Sequence, residues 1–118
     1  MRIEIHKKGL RQVVIITFHT RSERFSSDYE RNKFFRGLHG WKQIIPGENK
    51  QYSYKRTGLL DEIPHAKIAD SVFMVAMENM RQVIKYFEQW HNKIDYEMTE
   101  VMMEREKLKR LFSQPINE

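Results

Sequence analysis

Cysteine is absent from the 118 residues. That excludes disulfide staples, a thiolate nucleophile and cysteine-ligated zinc. Glycine and proline are scarce, at five and three residues, so there is no low-complexity linker and no glycine-rich phosphate loop. Neither an HExxH motif nor a His-hydrophobe-His pair occurs. No apolar run approaches the roughly 20 residues a membrane-spanning helix needs. The opening Met1-Arg2-Ile3-Glu4-Ile5-His6 alternates polar and apolar residues instead of building a signal-peptide core. The expectation from these absences is a cytoplasmic protein with no membrane partner and no evident cofactor.

What is present suits a single α+β domain. Hydrophobic residues make up 40% and charged ones 31%, enough for one core under a heavily charged surface. The charge is uneven: residues 1–70 hold 14 Lys and Arg against 8 Asp and Glu, whereas residues 71–118 hold 7 against 8. A basic half of this kind suits a polyanionic partner.

Two β-branched, apolar runs, Val13–Phe18 and Ser71–Ala76, read as strands buried on both faces. Residues 2–5 read as a short further strand. Ser27-Asp28-Tyr29-Glu30 is a capping box opening a helix over 28–39, with Phe34, Leu38 and Trp41 at helical spacing. Residues 42–45 and 50–56 read as a hairpin about the Pro46-Gly47-Glu48-Asn49 turn, and Gly58–His65 as a loop or single turn. Met80, Val83, Ile84, Phe87 and Trp90 mark one face of a second helix. Ile94, Tyr96 and Met98 alternate as in a half-buried strand, and Met102–Phe112 reads as an amphipathic helix. The resulting order is the ferredoxin-like βαββαβ arrangement: two helices on one face of an antiparallel sheet over residues 1–103, plus a C-terminal helix and tail over 104–118.

Three constellations carry chemistry. Arg21, Arg24, Arg31, Lys33, Arg36, Lys42, Lys55 and Arg56 are phosphate contacts interleaved with Tyr52 and Tyr54. Those tyrosines either stack bases on an open sheet face or lie under the helices as core. Asp61, Glu62, His65 and Asp70 share one inter-strand segment. They either hold a divalent cation and act as acid and base or are ordinary surface groups. His19, at the end of a strand, is a third candidate base. Leu108, Leu111 and Phe112 form an apolar helix face with little core to cover, which suits a homodimer interface.

The strand Val13–Phe18, the helix end Phe34-Phe35-Arg36-Gly37-Leu38 and the strand Asp70-Ser71-Val72-Phe73 resemble, in pattern over residues 11–101, two related groups. These are the small ferredoxin-like proteins of the CRISPR-associated integration complex and the VapD-type ribonucleases. The resemblance implies dimers that bind nucleic acid, some with a metal on an aspartate at the end of the first strand. His19-Thr20 occupies that place here, which favours binding without cleavage. The leading expectation is a dimeric nucleic-acid-binding module. The alternatives are a metal-dependent nuclease or phosphodiesterase using His19, His65 and Asp70, the one case that calls for a divalent metal, and an assembly protein that binds no nucleic acid.

Overall fold

A computed structural model describes residues 9–114. The strand expected at 2–5 and the chain end from Pro115 lie outside them. The apolar run at 13–18 is the middle of β1 (Leu10–Thr20), which pairs antiparallel along its whole length with β6 (Ile94–Glu104). Its other edge pairs antiparallel with β5 (Val72–Ala76), which in turn pairs with β4 (His65–Ala69). The four-stranded sheet therefore has the order β4-β5-β1-β6.

Both sheet faces are covered, which explains why β1 shows no polar alternation through its centre. On one face Val14, Ile16 and Phe18 of β1 and Phe73 and Val75 of β5 meet two helices, α1 (Asp28–His39) and α2 (Met80–Glu88). The helices contribute Phe34, Leu38, Val83 and Phe87, all fully buried. The Phe87 ring lies 5.5 Å from Phe18 and 5.0 Å from Tyr96, edge to face, the arrangement the ring quadrupoles favour. On the other face Val13, Ala66, Met74 and Ala76 meet Leu108 and Phe112 from α3 (Arg105–Leu111) and its C-terminal flank.

That second core corrects the expected dimer face. Leu108 and Phe112 are buried within the chain itself, and only Leu111 of the triad is exposed, at 46%. The sheet had a second face to cover, so α3 is part of the domain and not an appendage. Its start is also later than expected, because β6 continues through Met102 to Glu104 before the helix begins.

The capping box holds in modified form. Ser27 Oγ accepts the Glu30 N–H at 3.2 Å, but the Glu30 carboxylate accepts from Ser26 N–H at 3.0 Å, one residue earlier than the reciprocal pattern. Helices α1 and α2 approach closely at Gly37, where the Tyr86 hydroxyl lies against the bare Cα and a Cβ would collide with it. That hydroxyl donates to the Phe34 carbonyl at 2.6 Å, and burial pushes its pKa up to about 12.

The hairpin, β2 (Trp41–Pro46) and β3 (Gln51–Arg56), is a separate two-stranded sheet. The strand that joins the main sheet after α1 is β4, inside a stretch whose first residues the sequence presents as a loop up to His65. Gly40 ends α1 at φ +80° and ψ 175°, a conformation nearly confined to glycine. A Cβ there would stand 2.5 Å from Asp61 Oδ2, 2.7 Å from the Arg56 carbonyl and 2.9 Å from the Gly58 nitrogen. Trp41, which keeps helical spacing with Phe34 and Leu38 although the expected helix ends at 39, is therefore turned out of the helix and opens β2.

Candidate functional site

Side chains of paired residues share a face in an antiparallel ladder. The register Trp41↔Arg56, Gln43↔Tyr54, Ile45↔Tyr52 sets these six on one face of the hairpin. Lys42↔Lys55, Ile44↔Ser53 and Pro46↔Gln51 occupy the other. On the first face each aromatic ring has a cation against it. Arg36, reaching across from α1, lies 4.3 Å from the Trp41 centroid; Arg56 lies 5.6 Å from Tyr54; Lys50, from the turn, lies 5.3 Å from Tyr52. Arg56 Nε also donates to Gln43 Oε1 at 2.7 Å, which fixes the guanidinium in the row.

Helix α1 extends this face. Tyr29, Lys33 and Arg36 are spaced four and three apart and so share one side. With Gly37, Trp41 and Thr57 they line a shallow concavity of about 270 Å³. Tyr29 is 74% exposed, Tyr52 44% and Tyr54 46%. Among the described residues no carboxylate pairs with Lys33, Arg36, Lys50 or Arg56 on this surface, nor with Lys42 on the other face of the hairpin. The result is a row of open rings and uncompensated cations on a projecting element.

The expected phosphate contacts divide accordingly. Lys33, Arg36 and Arg56 converge in this row. Lys55 lies on the opposite hairpin face, where its ammonium meets Asp61 Oδ1 at 3.3 Å. Arg31 packs over Phe35 at 5.6 Å. Arg21 pairs with Asp95 at 2.6 Å, and Arg24 donates to the Asn92 carbonyl at 3.0 Å. Those two belong to the junction between β1 and the start of β6, outside the row. Tyr52 and Tyr54 are not core residues. The helices cover the main sheet, and the hairpin lies outside it.

The acidic constellation is dispersed among local tasks. Asp61 Oδ2 accepts the Gly58 N–H at 2.8 Å, fastening the base of the hairpin. Burial acts to raise the Asp61 pKa, but the Gly58 hydrogen bond and Lys55 outweigh it and hold the carboxyl below its usual range. Asp70 is 80% exposed and pairs with Lys67 at 2.9 Å, which keeps its pKa low. Glu62 is exposed. Among the described residues no three His, Cys, Asp or Glu side chains come together as metal ligands. His65 Nδ1 lies 3.0 Å from the Ile63 carbonyl and 3.1 Å from Ser113 Oγ. His19 is exposed on β1 opposite Asp95, and no hydrogen bond or ion pair among the described residues joins it to His65 or Asp70.

Two groups were given no site role of their own from the sequence. His39 stacks on Phe35, and its Nε2 lies 2.9 Å from the Asp70 carbonyl. Burial first, then the charge of Lys67, lowers the His39 pKa, although the Asp70 carbonyl works against this. Tyr29, Trp41 and Lys50 complete the aromatic row. The strand alternation of Trp41, Gln43 and Ile45 is the signal that assigns Trp41 to it.

Comparison of the chain with models of known protein families, with curated proteins and with solved structures gives no match to any of them.

Proposed function

We propose that the chain is a small nucleic-acid-binding module that contacts its ligand through the aromatic and basic face of the β2–β3 hairpin and the adjoining side of α1. One observation carries the reading: three rings, Trp41, Tyr54 and Tyr52, each with a cation against it, on a face where no carboxylate neutralises those cations. Cations without partners attract phosphates by releasing condensed counterions. Exposed rings add stacking that depends little on base identity. A surface meant only for solvent has no reason to cluster these three aromatics, two of them, Tyr52 and Tyr54, nearly half exposed.

The fold reading that accompanies this is a ferredoxin-like βαββαβ domain with the hairpin inserted between its first helix and its second strand. In its support, β1, α1, β4, β5, α2 and β6 follow one another in that order once the hairpin is set aside. Placing the hairpin as an insertion gives it an independent task, because the sheet is complete without it. Binding without cleavage is the favoured activity, since Asp61 and Asp70 are each engaged by a lysine and no hydrogen bond or ion pair among the described residues joins His19 to either of them.

Fluorescence anisotropy of a labelled oligonucleotide, titrated at several salt concentrations, tests the proposal. Affinity should fall steeply as salt rises. Affinity that ignores ionic strength, or no binding at low salt, would overturn it.

A further inference from the structure

We infer that the ligand of this face is single-stranded, its bases unstacked from one another and docked separately on Tyr52, Tyr54 and the Arg36–Trp41 pair. The inference rests on the nucleic-acid reading above and names the substrate class. Tyr52 and Tyr54 are two residues apart on β3 and share one face, so their Cα atoms are separated by about 6.8 Å, two antiparallel rises. Successive bases along a duplex strand are only about 3.4 Å apart. Neighbouring bases cannot each lie on one of these rings while they remain stacked in a helix. A flexible single strand opens to that spacing, because its backbone is not tied to a complement.

The third plane follows in the same direction. Trp41 is opposite Arg56, the next same-face position beyond the Gln43↔Tyr54 pair. Arg36 lies over its ring at 4.3 Å, so the surface offered to a base there is the guanidinium plane backed by the indole. Both aromatic rings and arginine planes serve as stacking platforms for splayed bases. Lys50 and Arg56 flank Tyr52 and Tyr54 at 5.3 and 5.6 Å, within reach of the phosphates of a strand laid along the row. Lys33 does the same beside Tyr29 and Trp41 in the concavity. The rings set the base spacing and the cations follow the backbone.

The test compares a labelled single-stranded oligonucleotide of mixed sequence, as DNA and as RNA, with its blunt duplex. It uses the full chain, the double variant Tyr52→Ala/Tyr54→Ala, and Tyr52→Phe/Tyr54→Phe. All the charges are retained in both variants. Single strands of one or both sugars should bind more tightly than duplex. The alanine pair should lose at least tenfold in single-strand affinity with an unchanged salt slope, and the phenylalanine pair, which keeps the rings, should bind as the parent does. Duplex binding as tight as single-strand binding, with the alanine pair indistinguishable from the parent, would overturn the inference and leave salt-sensitive phosphate binding standing. Absence of binding to any of the three probes at low salt would overturn both readings together.

Discussion

The Arg36 guanidinium lies 4.3 Å from the centre of the Trp41 ring, joining the last turn of α1 to the first residue of the projecting hairpin. Two elements that meet no common core are held in one surface by this contact and by the Gly40 turn between them. It also shields the indole while leaving the cation without a carboxylate. A contact of this kind contributes about 0.5–1 kcal/mol at an exposed site, too little to be the reason for leaving an arginine uncompensated. The proposed binding role accounts for that charge as one that faces a ligand.

Reversing the charges in the row should separate it from the other arginines. Arg36→Glu combined with Arg56→Glu should lower affinity at least tenfold and reduce the salt slope. Arg21→Glu, at a guanidinium already paired with Asp95, should change affinity little. Anisotropy titrations of the two variants side by side check the difference.

Leu108 is fully buried against the second face of the sheet. Leu108→Ala should therefore destabilise the folded chain by about 2–5 kcal/mol, the range for a large buried aliphatic truncated to alanine. Urea unfolding measures this. Sedimentation of the variant at native conditions should show the same mass as the parent, because the side chain packs within its own subunit.

Gly40→Ala introduces a Cβ at φ +80°, 2.5 Å from Asp61 Oδ2. The cost should be about 1–3 kcal/mol for a non-glycine residue in this region, and the clash adds to it. The hairpin base should loosen before the main sheet does. Hydrogen exchange should show amides of β2 and β3 losing protection ahead of those of β1 and β5.

Acid should weaken the fold in two stages. The His39 pKa is lowered below the ordinary 6.5 by burial, with Lys67 and the nearby His65 acting in the same direction and Asp70 opposing. The unfolded chain then binds the proton more readily, so stability rises with pH here. His39 contributes its full share above about pH 6.5 and loses it as pH falls through the lower folded value. Glu30, held low by Lys93, and Asp61, held low by Gly58 and Lys55 against its own burial, are depressed carboxylates. Their contribution is complete above the ordinary carboxylate range and disappears below it. Denaturant midpoints should fall between pH 7 and 5, and His39→Gln should flatten that interval while leaving the steeper loss at lower pH.

The sequence carried the core well and the surface poorly, for physical reasons. Val13–Phe18 is apolar on consecutive residues because helices cover both faces of β1, and a run of that kind is legible without any partner. Ser27 with Glu30 marks the start of α1 through local hydrogen bonds alone. By contrast, β4 has only Ala66 buried and has a register shift between Lys67 and Ala69, so its alternation is too brief to read. Phe34, Leu38 and Trp41 keep helical spacing across Gly40, and only the backbone turn there separates the last of them from the helix. The aromatic row was half visible, since Tyr52 and Tyr54 alternate as a strand does. Whether they faced a core or solvent depended on where the hairpin stood. The destination of Leu108 and Phe112 depended likewise on a second sheet face that local pattern does not reveal.

The most direct test follows the Trp41 emission in a Trp90→Phe background, where Trp41 is the remaining indole, during titration with a single-stranded oligonucleotide at increasing salt. The account predicts a saturable change in emission as the ligand meets the Arg36–Trp41 pair. Three phosphate contacts on a single strand should give affinity a log–log salt slope of about −2. Tight binding that leaves Trp41 emission unchanged and survives reversal of both Arg36 and Arg56 would contradict it.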